Sequence, residues 1–287
     1  MIEGHARRRA MGGWISAVVG GAGDAAAVSV LDRIAVWSRM LWHGDPGSDL
    51  ARLNATAASS VRVGPTLAAA LHAAASARRV SGGIVDAGVL EARRRVEAGE
   101  PAVPAGRWSI TGDVAVRPAG IGLDLSGVAK GWLAQRALSL PSIVRLPVAL
   151  VECDGDIAVR SDGSIPFAIE IEDPRDADPS TLAPIATISL PAGMPVMLGI
   201  ATSGIYRHAW NGRGHIVDPA TGEPANAGIV TATVVAPDAI AAEALAKVVV
   251  LRGAAAAPML ADAGATAIAL TDRDTQLRFP GIERWIA

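Results

Sequence analysis

A histidine in a turn segment is the clearest candidate for chemistry in this chain. Residues 214–224 read GHIVDPATGEP. Gly214 and the pair Asp218-Pro219 disfavour the continuation of a helix or of a central strand through this segment. His215 is therefore predicted at the mouth of a turn, where a neutral imidazole can act as a base near neutral pH. Asp218 is a candidate to orient that ring or to bind a ligand. The alternative interpretation is an ordinary strand–turn connection.

A second polar element precedes this turn in the sequence. Thr202, Ser203 and Gly204 offer two small hydroxyls and an approachable backbone, which suit a contact with phosphate or ribose. The same three residues are also compatible with the end of a strand followed by a turn.

Five further segments complete an ordered set of motifs. They are residues 10–12 (AMG), 48–54 (SDLARLN), 81–86 (SGGIVD), 123–132 (LDLSGVAKGW) and 154–157 (DGDI), followed by residues 202–204 (TSG) and 215–222 (HIVDPATG). In this order they resemble the motifs of the ApbE-type flavin transferases, the FAD:protein FMN transferases. The resemblance extends from about residue 10 to about residue 253.

The resemblance implies that the FMN half of FAD moves onto a Thr hydroxyl of an acceptor protein, with AMP leaving and Mg²⁺ as the expected cofactor. His215 would then be the base for that hydroxyl. Lys130, in a helix predicted to open at Gly127, would lie on the phosphate side, or alternatively be a solvated surface lysine. The residues implied in FAD binding are Met11, Asn54, Lys130, Thr202, Ser203, Gly204 and Asp218. For Met11 the alternative is a core position, for Asn54 a helix cap, and for Asp124 and Asp156 a turn or capping carboxylate.

The chain departs from the family at the expected metal site. There the family uses a backbone carbonyl, which corresponds to Ala129, and side chains of an A-D-A-L-x-T or A-D-A-L-x-D helix. Residues 242–247 read AEALAK, so Glu243 keeps a carboxylate but Lys247 cannot ligate Mg²⁺ while protonated. Either the metal site is remodelled or lost, with Lys247 supplying positive charge, or the protein no longer transfers FMN. Other departures are Gly13, Asp154 and Asp86-Ala87.

Composition sets the broad class of the protein. The 287 residues are 51% hydrophobic and 19% charged, which is ample for a folded core. A formal net charge of -2 predicts no nucleic-acid partner. The single cysteine excludes an intrachain disulfide and a multi-cysteine metal site. Residues 7–23 have the outline of a signal peptide but are rich in glycine, so we interpret 14–19 as the first strand. We expect a cytoplasmic protein without membrane insertion, because its apolar runs look too short to span a bilayer.

The hydrophobic pattern predicts an α+β fold. The resemblance implies an ApbE-like (T-fold-like) arrangement of mixed sheets flanked by helices, in one domain over 1–287, with any subdivision near 140–185. Helices are predicted over 25–41, 67–79, 127–138 and 239–251, and strands over 122–125, 149–152, 157–160, 167–171, 185–190, 198–202 and 229–235.

Three functions remain open at this point. The first is FMN transfer to a protein Thr. The second is FAD pyrophosphatase activity, in which water replaces the hydroxyl and FMN and AMP leave. The third is a flavin-binding or partner-binding protein without catalysis. The pair Glu243 and Lys247 is the feature that discriminates among them.

Overall fold

The computed structural model describes residues 2–175, 184–206, 209–210 and 213–286. The strands are β1 (Ile2–Ala10), β2 (Gly13–Gly20), β3 (Ser60–Arg62), β4 (Ser109–Thr111), β5 (Val114–Val116), β6 (Val148–Cys153), β7 (Asp156–Ser161), β8 (Phe167–Ile171), β9 (Ala186–Leu190), β10 (Val196–Gly204), β11 (Ala209–Trp210), β12 (Arg213–Gly214), β13 (Ile229–Ala236), β14 (Thr266–Thr271) and β15 (Gln276–Arg278). The helices are α1 (Asp24–Arg39), α2 (Asp49–Ala55), α3 (Pro65–Val80), α4 (Leu90–Ala98), α5 (Ala129–Ala137), α6 (Ala239–Arg252) and α7 (Ala257–Asp262).

An eight-stranded antiparallel sheet organises the fold. Its order is β1-β2-β6-β7-β10-β13-β14-β15, so strands from both ends of the chain share one sheet. Helices α1, α5 and α6 pack on one face, and α3 packs on α5 and α6. The β8–β9 hairpin contributes Ile171, Ile188 and Leu190 to a second apolar cluster with residues of the sheet. The predicted α+β class is confirmed.

The predicted helices are present because their apolar spacing and their end signals agree. Helix α3 starts with Pro65 at its first turn and is followed by Gly82 and Gly83, both with positive φ. Asp238 caps α6 by accepting a hydrogen bond from the N–H of Ala241. The helix predicted from Gly127 begins two residues later, at Ala129.

Two strand predictions need correction. The segment 14–19 is β2 and not the first strand, because residues 2–10 already form β1 and pair with it. The segment 122–125 is not a strand. Its backbone bonds go elsewhere: Leu123 exchanges two hydrogen bonds of 2.8 Å with the side chain of Asn54, and the N–H of Asp124 donates to the carbonyl of Ala87.

The expectation about apolar run length was also wrong. The helical run 239–262 has 24 residues and is apolar enough to cross a bilayer by length and composition. However, 56% of its apolar window is buried, and α6 lies against β10 and β13. That burial is typical of a core helix. The single-domain organisation stays a prediction.

Candidate active site

A cavity of about 670 Å³ opens beside the helical face of the sheet. Its wall combines the turn after β1, the end of α1, the segment before α5, and the loop that carries His215. The exposed indole of Trp42 stands at this cavity with 62% of its surface accessible. The size lies in the range of sites for small molecules and cofactors.

The first turn of the chain is held in an unusual conformation at the cavity. Met11 has a φ of 58°, which non-glycine residues rarely adopt, and it lines the wall together with Gly12. Such outliers persist where the surrounding structure enforces them, and they are common at functional sites. Met11 therefore lines this cavity, and its role in binding FAD stays a prediction.

Two ammonium groups and three carboxylates form what we call the lysine cluster: Lys130, Asp154, Asp156, Glu243 and Lys247. Lys247 Nζ lies 3.2 Å from Glu243 Oε1, and Lys130 Nζ lies 3.3 Å from Asp156 Oδ2 and 3.7 Å from Asp154 Oδ2. Glu243 is fully buried, and its Oε2 accepts a 2.8 Å hydrogen bond from the N–H of Gly131. The carboxylate of Glu243 thus already binds at the N-terminal turn of α5, where the helix favours a negative charge.

Asp156 is the least satisfied member of the lysine cluster. Its side chain is 1% exposed, and neither carboxylate oxygen has a hydrogen-bond partner of good geometry among the described residues, although the ion pair with Lys130 is close. Burial raises the pKa of Asp156 to about 7, against the opposing charge of Lys130. Burial also acts to lower the pKa of Lys130, but Asp156, Glu243 and Asp154 outweigh it, so that pKa lies above its ordinary value.

A second charged group on the cavity wall, which we call the arginine cluster, comprises His43, Arg93, Asp124 and Ser126. Asp124 accepts a 2.8 Å hydrogen bond from the N–H of Ser126, pairs with Arg93, and lies 3.5 Å from His43 Nδ1. Burial acts to raise the pKa of Asp124, but the hydrogen bond to His43 and the charge of Arg93 reverse that effect and hold the pKa well below its ordinary range. This carboxylate is therefore stably ionised.

The loop with His215 follows β12 and ends in a tightly anchored turn. The carbonyl of Asp218 accepts from the N–H groups of Thr221 and Gly222, and its side chain binds the N–H of Ala220 and Arg252. Gly222 has a φ of 78°, and a Cβ there would lie 2.0 Å from the carbonyl oxygen of Val103. Only glycine fits this position, so the predicted turn chemistry has a direct structural reason.

The structure brings together five of the predicted site residues on one cavity wall: Met11, Ala129, Lys130, His215 and Lys247. The other predicted residues lie outside that wall. Thr202 Oγ1 shares a 2.8 Å hydrogen bond with Thr233 Oγ1, and Asn54 is engaged with Leu123. Ser203 is buried in β10, where Gly204 also lies. Their roles in binding stay predictions, as do those of Asp218 and Glu243.

Sequence reasoning did not identify the arginine cluster. His43 and Arg93 belong to none of the sequence motifs, and for Asp124 the sequence predicts a turn or capping carboxylate. Except for Asp124 and Ser126, any two of these residues lie 31 or more positions apart in the sequence. No shared motif links them. A usable signal was the polar run at 42–45 (WHGD), whose Trp42, His43 and Asp45 all line the cavity.

The side chains at the expected metal position do not fit Mg²⁺. The ion needs about six oxygen ligands near 2.0–2.1 Å. Here one oxygen of Glu243 accepts from Gly131 and the other faces the ammonium of Lys247. Across the described ranges, no group of three or more His, Cys, Asp or Glu side chains is arranged to hold a metal ion. The chemistry of this site is therefore derived without a metal.

The fold is that of a known class of proteins. The crystal structure of the ApbE protein from Thermotoga maritima superposes with a TM-score of 0.81 at 22% identity, over 99% of each chain. The apo form of the Pseudomonas stutzeri flavinyl transferase ApbE gives 0.77 at 20% identity, over 99% of this chain and 96% of that chain. At these identities the likeness concerns the fold alone.

Sequence comparison places the chain more specifically. A model of the ApbE family matches residues 11–271, and the chain therefore belongs to the ApbE family. It is similar to the FAD:protein FMN transferase of Vibrio cholerae (32% identical over 138 residues) and to that of Escherichia coli K12 (30% over 128 residues). These alignments cover 46% and 42% of this chain but only 39% and 34% of the relatives' length.

Proposed function

We propose that this chain binds FAD in the cavity and transfers its FMN half to a Thr hydroxyl of an acceptor protein, releasing AMP. The observation that carries this proposal is that one cavity of about 670 Å³ holds His215 and both ammonium groups of the lysine cluster. Membership of the ApbE family supports the same conclusion, as do the names of the V. cholerae and E. coli relatives.

The cavity offers separate environments for the two halves of the ligand. The exposed indole of Trp42 and the side chains of Met11, Ile84 and Val217 give an apolar wall for a flat ring system. Lys130 and Lys247 provide positive charge for phosphate oxygens. This division matches a dinucleotide, which has aromatic rings at its ends and a diphosphate between them.

In the proposed reaction, the Thr oxygen attacks the phosphorus on the FMN side of the diphosphate. A new P–O bond forms there, and the bond from that phosphorus to the bridging oxygen breaks, so AMP leaves with the bridging oxygen. His215 takes the hydroxyl proton as general base, a role worth roughly 100- to 10,000-fold in rate. The ammonium groups stabilise charge that develops on the phosphoryl oxygens.

We also propose a protein acceptor and a cytoplasmic setting for this reaction. The acceptor is a protein that presents a Thr to the mouth of the cavity. The setting is the cytoplasm, without nucleic acid or membrane as a partner. A net charge of -2 supports the exclusion of nucleic acid.

The direct test is to incubate the purified protein with FAD and a soluble extract of acceptor proteins. AMP and free FMN are measured by chromatography, and covalent flavin by its fluorescence after denaturing electrophoresis. We expect AMP to appear with a matching amount of protein-bound flavin. Free FMN equal to AMP would instead assign the pyrophosphatase reaction, and unchanged FAD would leave only a binding protein.

A further inference from the structure

Both lysines of this chain lie at one site. Lys130 and Lys247 are the only lysines among 26 basic Lys and Arg residues, and both line the proposed FAD cavity. Their side chains are mostly buried, at 25% and 16% exposed. An ammonium is a compact point charge, whereas the guanidinium of Arg is a broad planar fork. The two compact cations of the chain therefore both lie at the cavity where the phosphates of FAD would bind.

The environment of Lys247 resembles that of a fixed internal cation. Its Nζ contacts Glu243 Oε1, and its stem packs 3.5 Å from the position a Cβ on Gly127 would take. Because the Glu243 carboxylate also accepts from Gly131, its charge is shared between a helix start and Lys247. These contacts hold the ammonium at the cavity wall without an added ion.

Two other departures from the family motifs are sterically coupled beside the same lysines. A Cβ on Gly13 would lie 2.1 Å from Asp154 Oδ1, so any larger residue at position 13 would collide with the Asp154 carboxylate. Asp154 adopts a φ of 50°, which favours glycine, and Lys130 Nζ donates to its carbonyl at 3.1 Å. A side chain from position 154 thus fills the space that a side chain at position 13 would occupy.

We propose that the two ammonium groups of the lysine cluster, Lys130 and Lys247, bind the diphosphate of a dinucleotide without a divalent metal, with the Lys247 ammonium standing in the place of the ion. This inference rests on the proposed FAD site and deepens it by removing its metal requirement. Lys247 neutralises phosphate charge but cannot fix several oxygens in octahedral geometry. Binding is therefore independent of Mg²⁺, and transfer is slower than a metal-fixed geometry would allow.

The presence of only two lysines makes a direct test feasible. Protein labelled with ¹³C-lysine gives two side-chain Cε environments, which the variants Lys130→Met and Lys247→Met assign. ADP, as a diphosphate probe, is titrated in the presence of chelator. We expect both signals to shift, with a dissociation constant that changes less than about twofold when Mg²⁺ replaces the chelator. Lys247→Met should weaken ADP binding about tenfold or more.

The matched control is Arg39→Met, which removes one positive charge from an exposed position on the same cavity wall. It should weaken ADP binding by less than about threefold. Equal losses in Arg39→Met and Lys247→Met would overturn the proposal, since general electrostatic attraction would then explain the binding. ADP shifts that appear only after Mg²⁺ is added would overturn it as well.

A second measurement examines the metal directly, by electron paramagnetic resonance of Mn²⁺. The wild-type protein should leave Mn²⁺ free, and its Lys247 signal should not broaden. The double variant Glu243→Asp/Lys247→Thr should gain a bound-Mn²⁺ spectrum. Tight Mn²⁺ binding by the wild type with broadening at Lys247 would contradict the proposal. If both lysine signals stay fixed with ADP while covalent flavin still forms on an acceptor, the metal-free phosphate site is wrong and the proposed transfer stands.

Discussion

The lysine cluster and the arginine cluster lie on the same cavity but differ in how their central carboxylates are satisfied. Asp124 is bound by an N–H group and by Arg93, with His43 close by. Asp156 is equally buried and has a close ion pair with Lys130, but its two oxygens have no well-formed hydrogen bond within the described part of the chain. The pKa of Asp124 is therefore lowered, whereas the pKa of Asp156 is raised.

This difference indicates that the two clusters have different roles. A carboxylate with complete partners fixes the segments that carry those partners, here the segment after α1, helix α4 and the segment before α5. A buried carboxylate with incomplete partners is costly in the free protein, because desolvation is not compensated. Such a cost is tolerated at sites where a ligand rearranges the charges. We therefore assign a scaffold role to the arginine cluster and a binding role to the lysine cluster.

The largest expected effect comes from breaking the arginine cluster. Asp124→Asn removes a buried negative charge that pairs with Arg93 and lies near His43, and we expect the free energy of unfolding to fall by about 3 kcal/mol. Because the folded pKa of Asp124 is depressed, its stabilisation is present above the unfolded pKa and is lost as pH falls through the folded pKa. Urea unfolding at several pH values measures both effects. A loss below about 0.5 kcal/mol at neutral pH would remove the scaffold role.

The second prediction separates chemistry from phosphate binding. His215→Ala should reduce FMN transfer by about 100-fold or more while FAD affinity stays within about threefold, because a general base acts mainly in the transition state. His72→Ala is the matched control, since His72 is exposed and contacts the carbonyl of Gly112 away from the cavity. Parallel losses of affinity and rate would make His215 a ligand contact and not the base.

The third prediction tests the coupling of positions 13 and 154. Gly13→Thr alone should destabilise the protein by about 2 kcal/mol, because its Cβ overlaps the Asp154 carboxylate. Adding Asp154→Gly removes the obstacle and also relieves the positive φ, so the double variant should recover most of that loss. A double-mutant cycle by thermal or urea unfolding measures the coupling. Strictly additive effects would show that the two positions are independent.

The last prediction concerns the pH dependence of stability that Asp156 contributes, for which we expect a direction and no magnitude. Its folded pKa of about 7 is raised above that of the unfolded chain, so the folded state holds the extra proton between about pH 4 and pH 7. The contribution of Asp156 to stability therefore falls as pH rises through that window. Asp156→Asn should remove this decline in urea unfolding. An unchanged pH profile in the variant would show that Asp156 is ionised throughout.

Local signals predicted most of the regular structure. The spacing of apolar residues located α1, α3, α5 and α6, and the alternating segments located β6 to β10 and β13, because helices and strands bury one face with a fixed period. Strand β1 was missed for a physical reason. Arg7, Arg8 and Arg9 interrupt any apolar alternation, while pairing with β2 and packing on α1 are tertiary effects.

The candidate site was predictable only where local motifs define it. The turn after His215 depends on Pro219 and Gly222, which the sequence shows, and on hydrogen bonds between residues that are close in sequence. The clamp of Asn54 on Leu123 joins residues 69 positions apart, so no local pattern reveals it. The collision between Gly13 and Asp154 also arises from the fold, because the two residues meet across neighbouring strands.

The affinity of the protein for FAD, with and without metal, shows directly whether the lysines replace Mg²⁺. Isothermal titration of the wild-type protein with FAD in chelator, repeated with Mg²⁺, compares the two conditions on one sample. A metal-free site predicts binding in chelator and a dissociation constant that Mg²⁺ changes by less than about twofold. Binding that appears only with Mg²⁺, and that Lys247→Met leaves intact, would contradict it.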